Sequence, residues 1–360
     1  MRVRLEDVCE KESSKLKQSD VIDQNGVYPV YGASGYLGNI DTYQQSNYYI
    51  AVVKDGAGIG RTMLLPPESS IIGTMQYLIP KDNVLPEYLY YVVKAKHLEK
   101  YFSGATIPHI YFKDYKNEQF DLVSFDEQRE IINRLKKIEI IIENLSKNLL
   151  LLDELVKARF VEMFGDVQDA KKHSSKQLKD ICNTVTGGTP STKHAEYYNG
   201  TIPWISTVSL GPNYIDGTTA KAFITQEAVD NSSTKIIPSG SILFGTRVGV
   251  GKSSINQVEM CTNQDIVAII DLDESKYNKL YIKYVLDTYQ SYFDSIKKGA
   301  TILGISSDDL KNIYIPDASL YEQNRFEKFV KQIDKSRSRI QKSLEASQEL
   351  FDSLMQEYFG

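Results

Sequence analysis

The run TRVGVGKS, Thr246 to Ser253, comes nearest in this sequence to a phosphate-binding loop. Such a loop needs glycine where Thr246 stands and a helix directly after it, whereas the following SSINQVEM reads as extended. DGAGIGR, Asp55 to Arg61, likewise misses the spacing of a dinucleotide-binding turn. Both are better read as glycine turns, whose backbone N–H groups can approach a phosphate and which present Lys54, Arg61, Arg247 and Lys252 beside them. A plain strand-connecting hairpin has the same pattern. His97, His109, His173 and His194 show no helical metal pairing, and Cys9, Cys182 and Cys261 lie too far apart for a disulfide framework or a metal knuckle. No metal site is expected, and the cysteines read as small buried hydrophobes. No Asn or Asp precedes a proline, so the (N/D)-P-P-(Y/F) signature of adenine methyltransferases is missing. Any chemistry on DNA must come from a partner.

What remains suits recognition of a polyanion. The loop GGTPSTKHAEYYNG, Gly187 to Gly200, gathers Thr189, Ser191, Thr192, Lys193 and His194 beside two tyrosines, residue types that read base edges in a major groove. Arg325 to Lys342 holds seven basic residues against Glu327 and Asp334, a face that suits a polyanion or an acidic partner. The whole chain carries 42 Lys+Arg against 47 Asp+Glu, a net charge of −5. That average argues against a dedicated polyanion binder, although a local patch can still be basic. With 360 residues and 41% hydrophobic composition the chain is long enough for two packed domains, which excludes disordered and collagen-like classes. No stretch reaches the ~20 uninterrupted apolar residues of a membrane span, and MRVRLEDVCEKESSK lacks the apolar core of a signal peptide. A cytoplasmic protein without membrane contact is expected.

The elements that carry these residues are duplicated. GATI occurs at Gly104 to Ile107 and Gly299 to Ile302, Glu127-Gln128 recurs as Glu322-Gln323, and Phe164-Gly165 as Phe359-Gly360, all at one offset of 195 residues. LEDVC at Leu5 to Cys9 pairs with LKDIC at Leu178 to Cys182, and GIGR at Gly58 to Arg61 with GVGK at Gly249 to Lys252, at drifting offsets. The unit therefore has a variable front and a length-preserved back. Each back reads as one long helix. In the first, Ile131, Leu135, Ile138, Ile142, Leu145, Leu149, Leu152, Val156 and Phe160 are spaced by threes and fours with no Gly or Pro between, which is a coiled-coil seam. The second repeats the register at Phe326, Val330, Ile333, Ile340, Leu344, Phe351 and Leu354, with polar Arg337 and Ser347 at two seam positions. The helices are expected to pack on one another as a spacer. Leu150, Leu151 and Leu155 widen the first stripe, which suits either a further partner surface or docking on the helix's own front.

The fronts are mixed α/β. Tyr48 to Val53, Ile202 to Ile205, Ser241 to Phe244 and Ile266 to Ile270 read as strands, Glu87 to Phe102 and Lys279 to Ile296 as tyrosine-rich helices. The expected division is 1–125 and 167–320 for the two globular fronts and 126–166 and 321–360 for the two helices, with QDAKKHSSK as a polar linker between halves.

In this order the residues resemble the specificity (S) subunits of type I restriction-modification systems. The resemblance covers nearly the whole chain. It rests on IPWIS at Ile202 to Ser206, KIIPSGSILFGTRVGVGK at Lys235 to Lys252, TNQDIVAI at Thr262 to Ile269, GATILGIS at Gly299 to Ser306 and IPDASLYEQNRF at Ile315 to Phe326. In the first half it rests on YPVYGASGYLGNID at Tyr28 to Asp41, GATIPHI at Gly104 to Ile110, the FDEQREI run from Phe125 to Ile131 and ARFVEMFGD at Ala158 to Asp166. It implies an α+β fold with two globular target recognition domains, each reading half of a split DNA sequence, joined by two long antiparallel coiled-coil helices about an internal pseudo-twofold repeat. The helices would set the spacing of the half-sites and dock two modification subunits. S-adenosylmethionine, ATP and Mg2+ would belong to the modification and restriction/translocase subunits, with no cofactor in this chain. Because YPVYGASGYLG differs from IPWISTVSLG, the two half-sites should differ. The fronts themselves sum to −2 and −1, so tight DNA binding is expected only in the assembly.

Within this reading the residues expected to touch bases or phosphates of double-stranded DNA are Lys54, Arg61, Gln76 and His109 in the first domain. In the second they are Lys193, His194, Arg247, Lys252 and Gln264. Two other classes stay open: a two-domain coiled-coil adaptor that binds proteins only, and a stand-alone enzyme, which the missing methyltransferase signature disfavours.

Overall fold

A computed structural model describes residues 1–22, 24–104, 108–165, 175–299 and 301–360. Most of the expected linker and part of both GATI runs lie outside the described residues. The chain divides into two compact units, residues 1–148 with 339–360, and residues 149–338. Both borders cut through the long helices. Each unit is thus one front, part of its own long helix, and part of the helix belonging to the other half.

In the first unit a four-stranded antiparallel sheet runs in the order Cys9–Ser13, Met75–Pro80, Tyr49–Val53, Thr62–Leu65. A smaller sheet joins Gly35–Ile40, Tyr28–Gly32 and Ser70–Ile71. Alternation sorts the buried strands: Ile50, Val52 and Leu78 meet the helix Pro86–Ala95, while Tyr49, Ala51, Val53, Met75 and Tyr77 form a separate core on the other face. The second unit keeps both strand orders and adds a strand to each sheet. One runs Asn183–Thr186, Ile266–Ile270, Ile242–Gly245, Ser253–Asn256, Tyr214–Ile215; the other runs Ala222–Ile224, Ile202–Ile205, Met260–Thr262, Ile236–Ile237.

The sequence repeats acquire a cause at atomic level. Gln128 is buried at the start of its long helix, accepts from the Leu85 backbone N–H at 2.9 Å and donates to the Val123 carbonyl at 3.0 Å. Gln323 does the same for Asn278 at 2.7 Å and Ala318 at 2.8 Å. Each glutamine ties the shorter helix to the long one, and a buried amide left unpaired there would cost about 1–3 kcal/mol. Tyr88 and Tyr281 donate to the carbonyls of Asp121 and Pro316, both at 2.9 Å, and pack edge-on against Phe359 and Phe164. The cysteines of LEDVC and LKDIC both point back at the carbonyl four residues earlier, at 3.1 Å. Burial pushes the thiols of Cys9 and Cys182 up to about 12 and that of Cys261 to about 11, so each stays protonated where it packs.

The long helices are Phe125–Phe164 and Leu320–Phe359, each 40 residues or about 60 Å. In the first unit Ile131, Leu135 and Ile138 share a core with Phe351, Met355 and Phe359, and Arg134 donates to the Tyr358 hydroxyl at 3.1 Å. In the second, Val156 and Phe160 share a core with Phe326 and Val330, and Arg337 pairs with Asp153 at 2.6 Å. Start meets end in both units, so the pairing is antiparallel. The seam residues between, Ile142, Leu145, Leu149, Leu152, Ile333, Ile340 and Leu344, are half-buried. Leu150, Leu151 and Leu155 stay exposed, at 66%, 48% and 47%, so their width does not serve docking on the helix's own front.

Two helix expectations change. Glu87 to Phe102 does not continue as one helix: Pro86–Ala95 ends before His97, which takes a left-handed φ of 48° and starts a 3-10 turn. Lys279 to Ile296 breaks at Tyr289 into Lys279–Thr288 and Gln290–Ile296. Among the described residues no helix is long and apolar enough to cross a membrane.

Candidate nucleic-acid interface

The glycine turns share three closing bonds in the two units, although the second turn is one residue shorter. In the first, Gly60 N–H donates to Val53, Val53 to Arg61 and Arg61 to Gly58; in the second, Gly251 donates to Gly245, Gly245 to Lys252 and Lys252 to Gly249. Gly58 and Gly60 sit at φ +87° and +81°, Gly249 and Gly251 at +72° and +92°, which is why G-x-G precedes the cation in both copies. Neither turn leads into a helix; Ser253–Asn256 is a strand.

Each turn is pinned to the loop that follows its GATI run. Ile110 N–H donates to Lys54 at 2.9 Å, and Ser103 and His109 exchange two bonds of 2.8 Å. Ile305 donates to Thr246 at 2.8 Å, and Lys298 and Gly304 exchange bonds of 2.8 and 3.0 Å. The sequence positions that look unrelated thus occupy one backbone clip: Asp55 corresponds to Arg247, and His109 to Gly304. In the first unit His109 Nδ1 lies 2.6 Å from Asp55 Oδ1, and the ring stacks on Tyr111. In the second, a Cβ added to Gly304 would stand 2.7 Å from the Thr246 carbonyl oxygen and 2.8 Å from Arg247 Cγ, so the glycine admits both the close backbone and the arginine stem. Arg247 reaches Asp265 at 3.4 Å.

The expected contact residues separate on this frame. Lys54, Arg61 and His109 gather at the first clip, with Arg61 turned back to donate to the Ala33 carbonyl at 2.8 Å. Arg247, Lys252 and Gln264 gather at the second, where Thr189 donates to Gln264 Oε1 at 2.5 Å and brings the GGTPST loop alongside. Lys193 and His194 are exposed farther along that loop, His194 paired with Glu196 at 2.8 Å and stacked on Tyr197. Gln76 must be removed from the set. It is 2% exposed on a central strand, accepts from Tyr115 at 3.3 Å, and leaves its Nε2 without a partner. The sheet register places Val267 at the corresponding position.

The acids that hold His109 and Arg247, Asp55 and Asp265, stand inside the glycine-turn and TNQD motifs, where nothing in the local sequence marks them as partners. The clip loops also expose the apolar side chains Phe102, Val248, Ile302 and Leu303, which offer methyl and ring surface to a base or thymine methyl. Among the described residues no group of three or more His, Cys, Asp or Glu is placed to hold a metal ion.

Comparisons with known proteins bear on this frame. The chain is 35% identical over 151 residues to the type I restriction enzyme MjaIX specificity subunit of Methanocaldococcus jannaschii, covering 42% of this chain and 35% of that one. It is 32% identical over 185 residues to the EcoR124I/EcoR124II specificity subunit of Escherichia coli, covering 49% and 44%. The chain therefore matches less than half the length of these two relatives. The crystal structure of a type I restriction-modification S subunit from M. genitalium aligns with all of this chain and 96% of that one at a TM-score of 0.62 and 16% identity, a likeness of fold. The family profile described as the type I restriction modification DNA specificity domain matches residues 1–151 and 171–348. Matched twice and over most of its length, the chain belongs to the type I restriction-modification DNA specificity family.

Proposed function

We propose that this chain is the non-catalytic DNA-binding specificity subunit of a type I restriction-modification complex, reading a bipartite, asymmetric duplex through its two clips. The observation that carries the reading is the pair of clips itself. The backbone bonds that close each turn and tie it to the loop after its GATI run recur at corresponding positions, while the side chains presented differ, as expected of two readers that share a frame and recognise different half-sites. Lys54, Arg61, His109, Lys193, His194, Arg247, Lys252 and Gln264 are the proposed contacts. The exposed Leu150, Leu151 and Leu155, together with the seam, are the proposed docking surface for two modification subunits, with restriction/translocase subunits joining the assembly. S-adenosylmethionine, ATP and Mg2+ would be held by those partners, which would supply adenine-N6 methylation and site-specific cleavage in the cytoplasm.

The test is a genome-wide map of methylated adenines in cells with and without this gene, its neighbouring methyltransferase expressed in both. Loss of one split, asymmetric motif is expected. An unchanged methylome would favour the protein-only adaptor, whose complexes would also lack the steep loss of duplex affinity with salt that phosphate contacts impose.

A further inference from the structure

The first clip holds a histidine whose orientation is set by a neighbour. A carboxylate only accepts hydrogen bonds, so Asp55 Oδ1, 2.6 Å from His109 Nδ1, requires the proton on that nitrogen. In the neutral form of the ring the free lone pair then lies on Nε2. The His109 side chain is 37% exposed and Tyr111 stacks beside its ring, while the backbone of His109 is locked by its two bonds to Ser103. The imidazole is therefore held in orientation and backbone position with its proton on Nδ1, and its neutral form has one acceptor, Nε2, to offer. We propose that Asp55 is a positioning residue that, by taking the Nδ1 proton of His109, presents Nε2 as an acceptor to an amino-bearing base, adenine or cytosine, in one half of the target. Those two bases display an exocyclic NH₂ in the major groove; guanine and thymine at the same place display acceptors, which a lone pair repels.

The second unit supplies the contrast. At the matching backbone positions Arg247 and Gly304 replace Asp55 and His109, so a donor stands where the first clip has an acceptor. An arginine there selects guanine, whose O6 and N7 accept a guanidinium. One exchanged pair on a common frame inverts the hydrogen-bond polarity of the reader.

The inference rests on the reading that the clips face the duplex, and the experiment separates the two. The chain is assembled with its modification subunits, and methylation rates are measured on duplexes in which each base pair of the mapped motif is permuted in turn. His109→Ala is expected to relax one base pair of one half-site about ten- to a hundredfold. Asp55→Ala should relax the same base pair, the double variant should be no worse than His109→Ala alone, and the other half-site should be read as before. Asp55→Asn keeps the size of the side chain but offers Nδ1 either a donor or an acceptor, so it too should relax that position; it serves if Asp55→Ala fails to assemble. Full discrimination in Asp55→Asn, or additive losses in the double variant, overturns the positioning role. If His109→Ala leaves every base pair read as before, the proposal falls. If Lys54→Ala and Arg61→Ala then also leave affinity and its salt dependence unchanged, the placement of the clip on DNA falls with it.

Discussion

The base of each unit and its clip evolve under different physical demands, and the two copies within this chain make the difference measurable. At the base, Gln128 and Gln323, Tyr88 and Tyr281, and Cys9 and Cys182 make the same bonds to corresponding backbone atoms. At the clip the closing backbone bonds recur, yet the first unit carries Asp55 and His109 where the second carries Arg247 and Gly304. A buried amide or hydroxyl has few arrangements that satisfy it, so the base tolerates little change. A solvent-facing side chain on a fixed turn has no such constraint and is free to encode a target.

The sharpest way to break this comparison is at the helix ends. Phe359 packs on Tyr88 at 5.3 Å between centroids, and Phe160 on Phe326 at the same distance. Phe359→Ala and Phe160→Ala should each cost about 3–5 kcal/mol in urea unfolding, with hydrogen exchange locating the loss in the first unit for one and the second for the other. Uniform loss across both units would mean that the units are not separable. Gln128→Ala and Gln323→Ala should each cost about 1–3 kcal/mol, and similar values would confirm that the two hooks are equivalent. At the clip, Arg247→Ala should leave unfolding nearly unchanged but relax one base pair of the second half-site by about 1–3 kcal/mol, read from methylation of permuted duplexes. Gln76→Val should do least to recognition. It removes an unpaired Nε2 and installs the residue type at Val267, but also takes the acceptor from the buried Tyr115 hydroxyl, so any loss of stability should not exceed the cost of one orphaned donor, about 1–3 kcal/mol, and the methylated motif should not move.

The scaffold was legible in the sequence because its signals are periodic or duplicated. The three-and-four spacing from Ile131 to Phe160 marked a helix that runs Phe125–Phe164, and Ile202–Ile205 and Ile266–Ile270 were delimited as strands to the residue. Helix breaks were not legible at His97 and Tyr289, where no Gly or Pro interrupts the run and tertiary packing decides. For the clip, the basic side chains and His109 were legible and their acid partners were not, since Asp55–His109 joins residues 54 positions apart through a loop-to-loop bond that no local pattern announces. Gln76 misled for a different reason: a polar residue within Met75–Pro80 invites a surface reading, and only the sheet order shows that its strand lies between two others.

The exchange of helix ends also governs how the chain acquires its structure on the ribosome. The hydrophobic interior of the first unit is closed by Phe351, Met355 and Phe359, residues synthesised more than 200 positions after the front they complete. The first unit to emerge is therefore the last to finish, and it waits with apolar surface uncovered while the second, whose contribution from the earlier helix is already made, can close around Phe160. Nascent chains of this architecture should depend on chaperone shielding during that interval, and truncation before Phe351 should damage the unit built on residues 1–148.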